Sequence, residues 1–424
     1  MRILVCPHDM QLGGSSINAV DLARAVRDLG HEVWVMGRQG PLRQRVAAAG
    51  LPLLALPERA HVRPSPAVSR AIAGAVRRHR IDVVHTYEYW PLVEAFLGTF
   101  VPRGTPVLGT IMSMGSLPPY FPRTGVPLTV GYGDLYEETG ELRGLEGARV
   151  HLLEPPIDTA IDHPVAAAAA DGGTPEVDVD AFAAEHGLLK PAPTVVLVSR
   201  LAKHLKQEHL ERTMDAVARL SAELTGLRLV LVGGGSIERE LQARAARLNG
   251  DLGRRAIVLT GGMADPRPAY ALADVVVGMG SSALRGMAFG KPTVVVGEEG
   301  FSRPVTPETI GDFDGLGFYG RGAGRVPVER DPLVGQLTAL LGDQAERERI
   351  GTWSLDLVHE RFALDRHALR LVEWYEQARA ERPVVRGRVG EAVRVGGRLV
   401  GFKAAQRGQA LRARTRSRRA ATTS

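Results

Sequence analysis

Arg200 and Lys206 follow the apolar run Thr194–Ser199 almost at once, and two cations so close to a strand end are suited to gripping an anion. The same half of the chain repeats the arrangement. Gly233-Gly234-Gly235-Ser236 follows Arg228–Val232, Met263–Asp265 follows Ala256–Thr260, Gly280-Ser281-Ser282 follows Asp274–Val277, and Glu298, Glu299 and Arg303 follow Pro292–Val296. Glycine-serine turns that open helices aim backbone N–H groups beyond the strand, so the set seeks an anion such as a phosphate. Each member also has a plain structural reading: the glycine triplet as a tight turn, Gly280–Ser282 as a helix cap, the cations as surface charges. In the first half, Gly13 and Gly14 form a loop after the strand Arg2–Pro7 but lack the G-x-G-x-x-G spacing, and no G-x-x-x-x-G-K-[ST] occurs. His85 ends the apolar run Asp82–His85, as a functional or a structural hydrogen-bonder, and Glu88 is the nearest carboxylate for a general base. No His, Cys and carboxylate cluster has metal-ligand spacing, so neither a metal nor another bound cofactor is expected.

These stretches need a scaffold that sets strand ends side by side. Arg2–Pro7, a helix with Ile17, Val20, Ala23 and Val26 on one face and Ser15 or Ser16 as its cap, a stop at Gly30 and the strand Glu32–Met36 make a β-α-β unit. That unit implies a parallel sheet with a right-handed crossover, extended by Asp82–His85, Pro106–Ile111 and Leu128–Val130. From Thr194 the alternation restarts with Val-rich runs of the kind covered on both faces, separated by helices over Gln207–Leu224 and Ile237–Leu248. The expected fold class is α/β: two doubly wound Rossmann-like domains facing a cleft, with a C-terminal cross-over helix and a basic tail. Ligands of open parallel sheets bind beyond the carboxyl ends of the strands, where the residues above fall. The expected divisions are 1–165, an Ala/Gly/Asp-rich linker at 166–190, 191–354, a cross-over helix at 355–380 and a disordered tail at 381–424.

A chain of 424 residues fits two cores, and 44% hydrophobic with 24% charged residues is ordinary for a globular protein. The single Cys6 excludes an intrachain disulfide framework. The N-terminus does not read as a signal peptide, and no run reaches the roughly 20 apolar residues of a membrane helix, so a cytoplasmic protein is expected. From Glu381 onward twelve Arg/Lys face two Glu, a net +10 that leaves residues 1–380 at −4 within the total of +6. The stretch holding Val393, Val395, Leu399, Val400 and Phe402 among arginines reads either as a solvated tail or as a weak amphipathic segment on the inner face of an anionic membrane, with nucleic acid disfavoured.

Four segments carry a family resemblance. GGSSINAVDLARAVRDLGHEVWV is similar to the N-terminal glycine loop and helix of the family-4 type of GT-B glycosyltransferases; VSRLAKHLKQEHLERTMDAV resembles that family's Gly-Arg-Leu…Lys-Gly segment, and LVLVGGGSIERELQARAARL and YALADVVVGMGSSALRGMAFGKPTVVVGEEGF resemble its two donor-domain motifs. The resemblance spans roughly residues 1–380. It implies transfer of a hexose-type sugar from a nucleoside diphosphate sugar to a hydroxyl acceptor, with retention and without a metal. By position, Arg200, Lys206 and Gly280–Ser282 would meet the diphosphate, with Gly233, Gly234 and Met263 also on the nucleotide and Gly13 and Gly14 approaching from the other domain. His85 would meet the sugar or acceptor; Met112–Met114, Tyr120 and Tyr132 read either as the lining of an acceptor pocket or as interdomain packing. The family's paired glutamates are absent: Val277 and Arg285 stand in their places, and Arg285 accepts no hydrogen bond. The ribose contact must then change or move to Glu298 or Glu299. Two other readings stay open, a nucleotide-sugar epimerase on the same scaffold and a non-catalytic sugar-nucleotide-binding partner of another transferase.

Overall fold

The structure is a computed structural model and describes residues 1–58, 63–113, 117–143, 149–165, 177–188, 191–381 and 385–421. The chain forms two compact units, Met1–Glu154 with His367–Ser424, and Pro155–Arg366. Most of the expected linker, at 166–176, lies outside the described residues, while Val179–His186 is a helix capped by Asp178.

The first unit holds a seven-stranded sheet of β1 (Arg2–Cys6), β2 (Glu32–Gly37), β3 (Leu53–Ala55), β4 (Val83–Tyr87), β5 (Val107–Ile111), β6 (Leu128–Val130) and β7 (Val150–Leu152). Its order is β3-β2-β1-β4-β5-β6-β7 and every pairing is parallel. β4 and β5 are buried along their whole length, which is why they read as apolar runs rather than alternating ones. β3 and β7 are three-residue edge strands, too short and too exposed to leave such a run. The helix after β1 spans Gly14–Asp28 with Gly13 at its N-cap, and no side chain caps it. Ser15 and Ser16 therefore do not cap this helix as expected; their hydroxyls donate to Glu88 and Asp9 instead.

The second unit holds β8 (Thr194–Val198), β9 (Arg228–Val232), β10 (Ile257–Gly261), β11 (Val275–Gly278), β12 (Thr293–Val296) and β13 (Ser302–Pro304). The order is β10-β9-β8-β11-β12-β13, with only β13 antiparallel. Arg212, buried on the helix Gln207–Leu220, clamps the segment after β12: its guanidinium bonds both Asp331 oxygens at 2.7 and 2.8 Å and the carbonyls of Gly300 and Phe301. The long C-terminal helix is broken where it was expected to be continuous. Ala363 is extended and forms a parallel bridge with Ile157, separating the turn Val358–Phe362 from the helix Leu364–Ala380.

The tail departs most from expectation. Residues Val385–Ala421 form a helix, not a disordered appendage. Arg388, Glu391 and Val395 are buried at helical spacing, Val395 joins the core of the first unit, and Leu399 and Phe402 pack against it. Glu391 accepts from the Arg123 amide at 2.7 Å and the Thr124 hydroxyl at 3.1 Å and pairs with Arg394. Arg388 donates to the Phe100 carbonyl at 2.9 Å. A few well-placed side chains thus outweigh the helix cost of the glycines. Glu391→Ala removes the acceptor that holds the Arg123 amide and the Thr124 hydroxyl against this helix and is expected to lower the unfolding free energy by about 1–3 kcal/mol, read from the urea midpoint at constant slope. A chain ending before Val385 is expected to lose at least as much.

Candidate functional site

In each sheet the strand order reverses once, between β1 and β4 in the first unit and between β8 and β11 in the second. Connections on the two sides of such a point run apart, leaving room beyond the strand ends for a ligand. Gly13, Gly14 and Glu88 fall at the first of these places, and Arg200, Lys206 and Gly280–Ser282 at the second.

In the first unit, the loop after β1 meets Glu88, which follows β4. Glu88 has φ of 64°, a left-handed backbone that non-glycine residues rarely adopt, and its side chain is buried. Its carboxylate accepts from the Ser15 hydroxyl at 2.7 Å, the Ser113 hydroxyl at 2.6 Å and the amides of Met112 and Ser113 at 3.1 and 3.4 Å. One acid therefore ties the first turn of the helix Gly14–Asp28 to the loop after β5. Tyr132 donates to the Ser113 carbonyl. Burial, with the nearby Glu88 charge, pushes the Tyr89 hydroxyl up. Trp90 stacks on Tyr120 with centroids 5.1 Å apart, and Met112 accepts from Asn18. Met114 lies outside the described residues.

His85 is not at the strand edge where the sequence placed it. It sits in the middle of β4 and is buried, with Nδ1 2.7 Å from the Tyr375 hydroxyl and Nε2 2.6 Å from Thr110 Oγ1. Burial lowers its pKa to about 3, so the ring is neutral and both nitrogens are occupied. It joins β4 and β5 to the helix Leu364–Ala380.

In the second unit, Arg200 is exposed and Lys206 largely covered, the latter at the N-cap of the helix Gln207–Leu220. Among the described residues neither has an ion-pair partner. Burial and the Arg200 charge lower the Lys206 pKa to about 8. Across the reversal point, Gly280 has φ of 56° and opens the helix Ser281–Ala288, whose first amides have no acceptor within the helix. Ser282 is used locally: its hydroxyl donates to the Met279 carbonyl at 3.0 Å.

The glycine triplet has a packing role. A Cβ on Gly233 would lie 1.8 Å from the Ser199 carbonyl oxygen and one on Gly235 would lie 2.2 Å from that of Leu201, so these glycines let the loop after β9 close on the loop after β8. Gly234 accepts from the Leu201 amide in the same contact. Met263 packs at the edge of a core cluster. Glu298 is engaged by Tyr319 and Arg321, and Glu299 by Arg321. Arg285 forms an ion pair at 3.1 Å with Asp162, a buried carboxylate 123 positions earlier. Sequence reading missed Asp162, Glu208, whose carboxylate accepts from the Glu299 and Gly300 amides, and His209, which meets Ser199. Only Glu208, in the first turn of a helix, left a signal.

The residues 192–312 match the family model described as glycosyl transferases group 1, and residues 12–128 match that of glycosyltransferase family 4. No curated protein matches the chain by sequence. Among solved structures, a glycosyltransferase from Rickettsia africae is 16% identical with a TM-score of 0.69, covering 89% of this chain and 98% of its own. Anabaena HepE in complex with UDP and glucose is 15% identical at a TM-score of 0.63, covering 89% and 100%. The UDP-GlcNAc 2-epimerase of Neisseria meningitidis bound to UDP-GlcNAc is 10% identical at 0.60, covering 89% and 100%. These likenesses establish the GT-B fold of two Rossmann-like domains.

The lowered pKa of Lys206 makes a stability prediction. Between about pH 8 and 10.5 the unfolded chain holds a proton on this lysine that the folded chain has released, so stability rises with pH across that window. Lys206→Met is expected to remove this rise and to stabilise the protein below pH 8 by on the order of 1–3 kcal/mol, read by thermal unfolding from pH 7 to 10.5.

Proposed function

We propose that this chain, which belongs to the family-4 type of GT-B glycosyltransferases, transfers a hexose-type sugar from a nucleoside diphosphate sugar to a hydroxyl acceptor on a glycan, a lipid-linked carrier or a natural product. The observation that carries this reading is the pair Arg200 and Lys206: two cations that, among the described residues, have no neutralising carboxylate, one of them largely covered, at the reversal point of the second sheet where the helix Ser281–Ala288 also starts. Holding an uncompensated ammonium out of water costs stability, and an anionic ligand offsets that cost. The UDP bound to HepE supports a nucleoside diphosphate as that ligand. Leaving-group charge develops on the diphosphate as the glycosidic bond breaks, and fixed cations with helix amides stabilise it without a metal. Retention of anomeric configuration belongs to the same reading.

On the acceptor side we assign Glu88 a positioning role, since its four hydrogen bonds hold the Gly13–Gly14 turn against the loop after β5. Arg285, held by Asp162, does not replace the missing ribose acceptor.

Arg200→Ala with Lys206→Ala is expected to weaken UDP binding about 100-fold or more in calorimetric titration, at roughly 1.5–3 kcal/mol per charge-assisted contact, with the fold retained. Unchanged affinity would discard the assignment. UDP affinity of the unaltered chain is expected to fall as pH rises above about 8, where free Lys206 loses its proton. Glu88→Gln keeps the size but turns donors toward donors; about tenfold slower turnover with unchanged UDP affinity is expected. Incubation with labelled nucleotide sugars separates the readings: transfer or slow donor hydrolysis supports the transferase, an epimerised donor without acceptor points to an epimerase, and nucleotide binding with no turnover points to a non-catalytic partner.

A further inference from the structure

The helix Val385–Ala421 has two unlike faces. One is committed to the first unit through Arg388, Glu391 and Val395. The other carries Val385, Val389, Val393 and Val400, which are 49–70% exposed. At 3.6 residues per turn these four valines lie within an arc of about 80°, and Lys403 and Arg407 continue the same arc. The helix holds eleven Arg/Lys against one Glu, whereas residues 1–380 carry a net −4. Its one acid, Glu391, is buried and takes Arg394 and Arg398 as partners. Among the described residues no helix is long and apolar enough to cross a membrane.

An exposed apolar stripe running into cations on one helical arc is the chemistry of a helix that lies in a bilayer surface. A nucleic acid would meet the arginines but has no use for the valines. We infer that this face docks on an anionic lipid bilayer: the four valines enter the acyl boundary, and Lys403 and Arg407 meet lipid phosphates. The opposite face holds the segment Phe121–Thr124 through Glu391 and Arg398, and Tyr120 meets Phe402 edge-on with centroids 5.1 Å apart. Docking therefore brings the aromatic neighbourhood of Trp90 and Tyr120 to the lipid surface, where a hydroxyl acceptor on a lipid carrier would lie. The acceptor part rests on the proposed transfer; the docking does not.

The test is co-sedimentation of the full chain with phosphatidylcholine vesicles, alone or with about 30% phosphatidylglycerol. Binding at least about tenfold tighter to the anionic vesicles is expected, and V389S/V393S/V400S is expected to lose about tenfold of it while keeping its helix content and UDP affinity. Equal binding to neutral vesicles, a triple variant that binds like the unaltered chain, or retention by duplex RNA with none by vesicles would each overturn the docking. Loss of UDP binding with docking intact would count against the transfer alone.

Discussion

Everything functional in this protein depends on the reversal of strand order within each parallel sheet. Where β1 meets β4 and β8 meets β11, the following connections leave toward opposite sides, and the strand ends between them are left uncovered. Backbone amides and short loops then face free space instead of being packed away. Gly13, Ser15 and Glu88 collect at one such point, Arg200, Lys206 and Gly280 at the other. Their distances in sequence are large, yet the topology allows few other placements.

The treatment of charge separates structural residues from functional ones. Arg212 is buried with a bidentate carboxylate and two carbonyls, and Arg285 has Asp162; both are neutralised inside the fold. Lys206 is also largely covered, and burial, together with the nearby Arg200 charge, lowers its pKa. Among the described residues no carboxylate pairs with this ammonium, in contrast to Arg212 and Arg285. Glu88 shows the converse case. Its carboxylate is fully used, and its backbone is held in a left-handed conformation that the four hydrogen bonds compensate.

The C-terminal helix shows how little apolar content is needed when placement is right. Val395 and Phe402 anchor one face, and a single buried glutamate collects donors from a loop some 270 positions earlier. Composition alone, rich in arginine and glycine, resembles a solvated tail. The other face keeps its valines exposed, so the same helix serves the fold and displays a surface.

The two doubly wound sheets were legible in the sequence because strands buried on both faces must be continuous apolar runs, and ten of them stand out, from Arg2 to Val296. Strand ends were legible for the same reason, and with them the cations and glycine turns beyond β8, β9 and β11. What the sequence could not decide were pairings between residues far apart. His85 has the right type for chemistry, but Tyr375 and Thr110 take both its nitrogens; Arg285 stands in a glutamate's place, but Asp162 holds it. The strand Leu53–Ala55, the bridge from Ala363 to Ile157 and the helical tail are likewise set by contacts across the chain. Local periodicity records which faces must leave water, whereas the partner that satisfies a buried polar group is chosen only when the chain has folded around it.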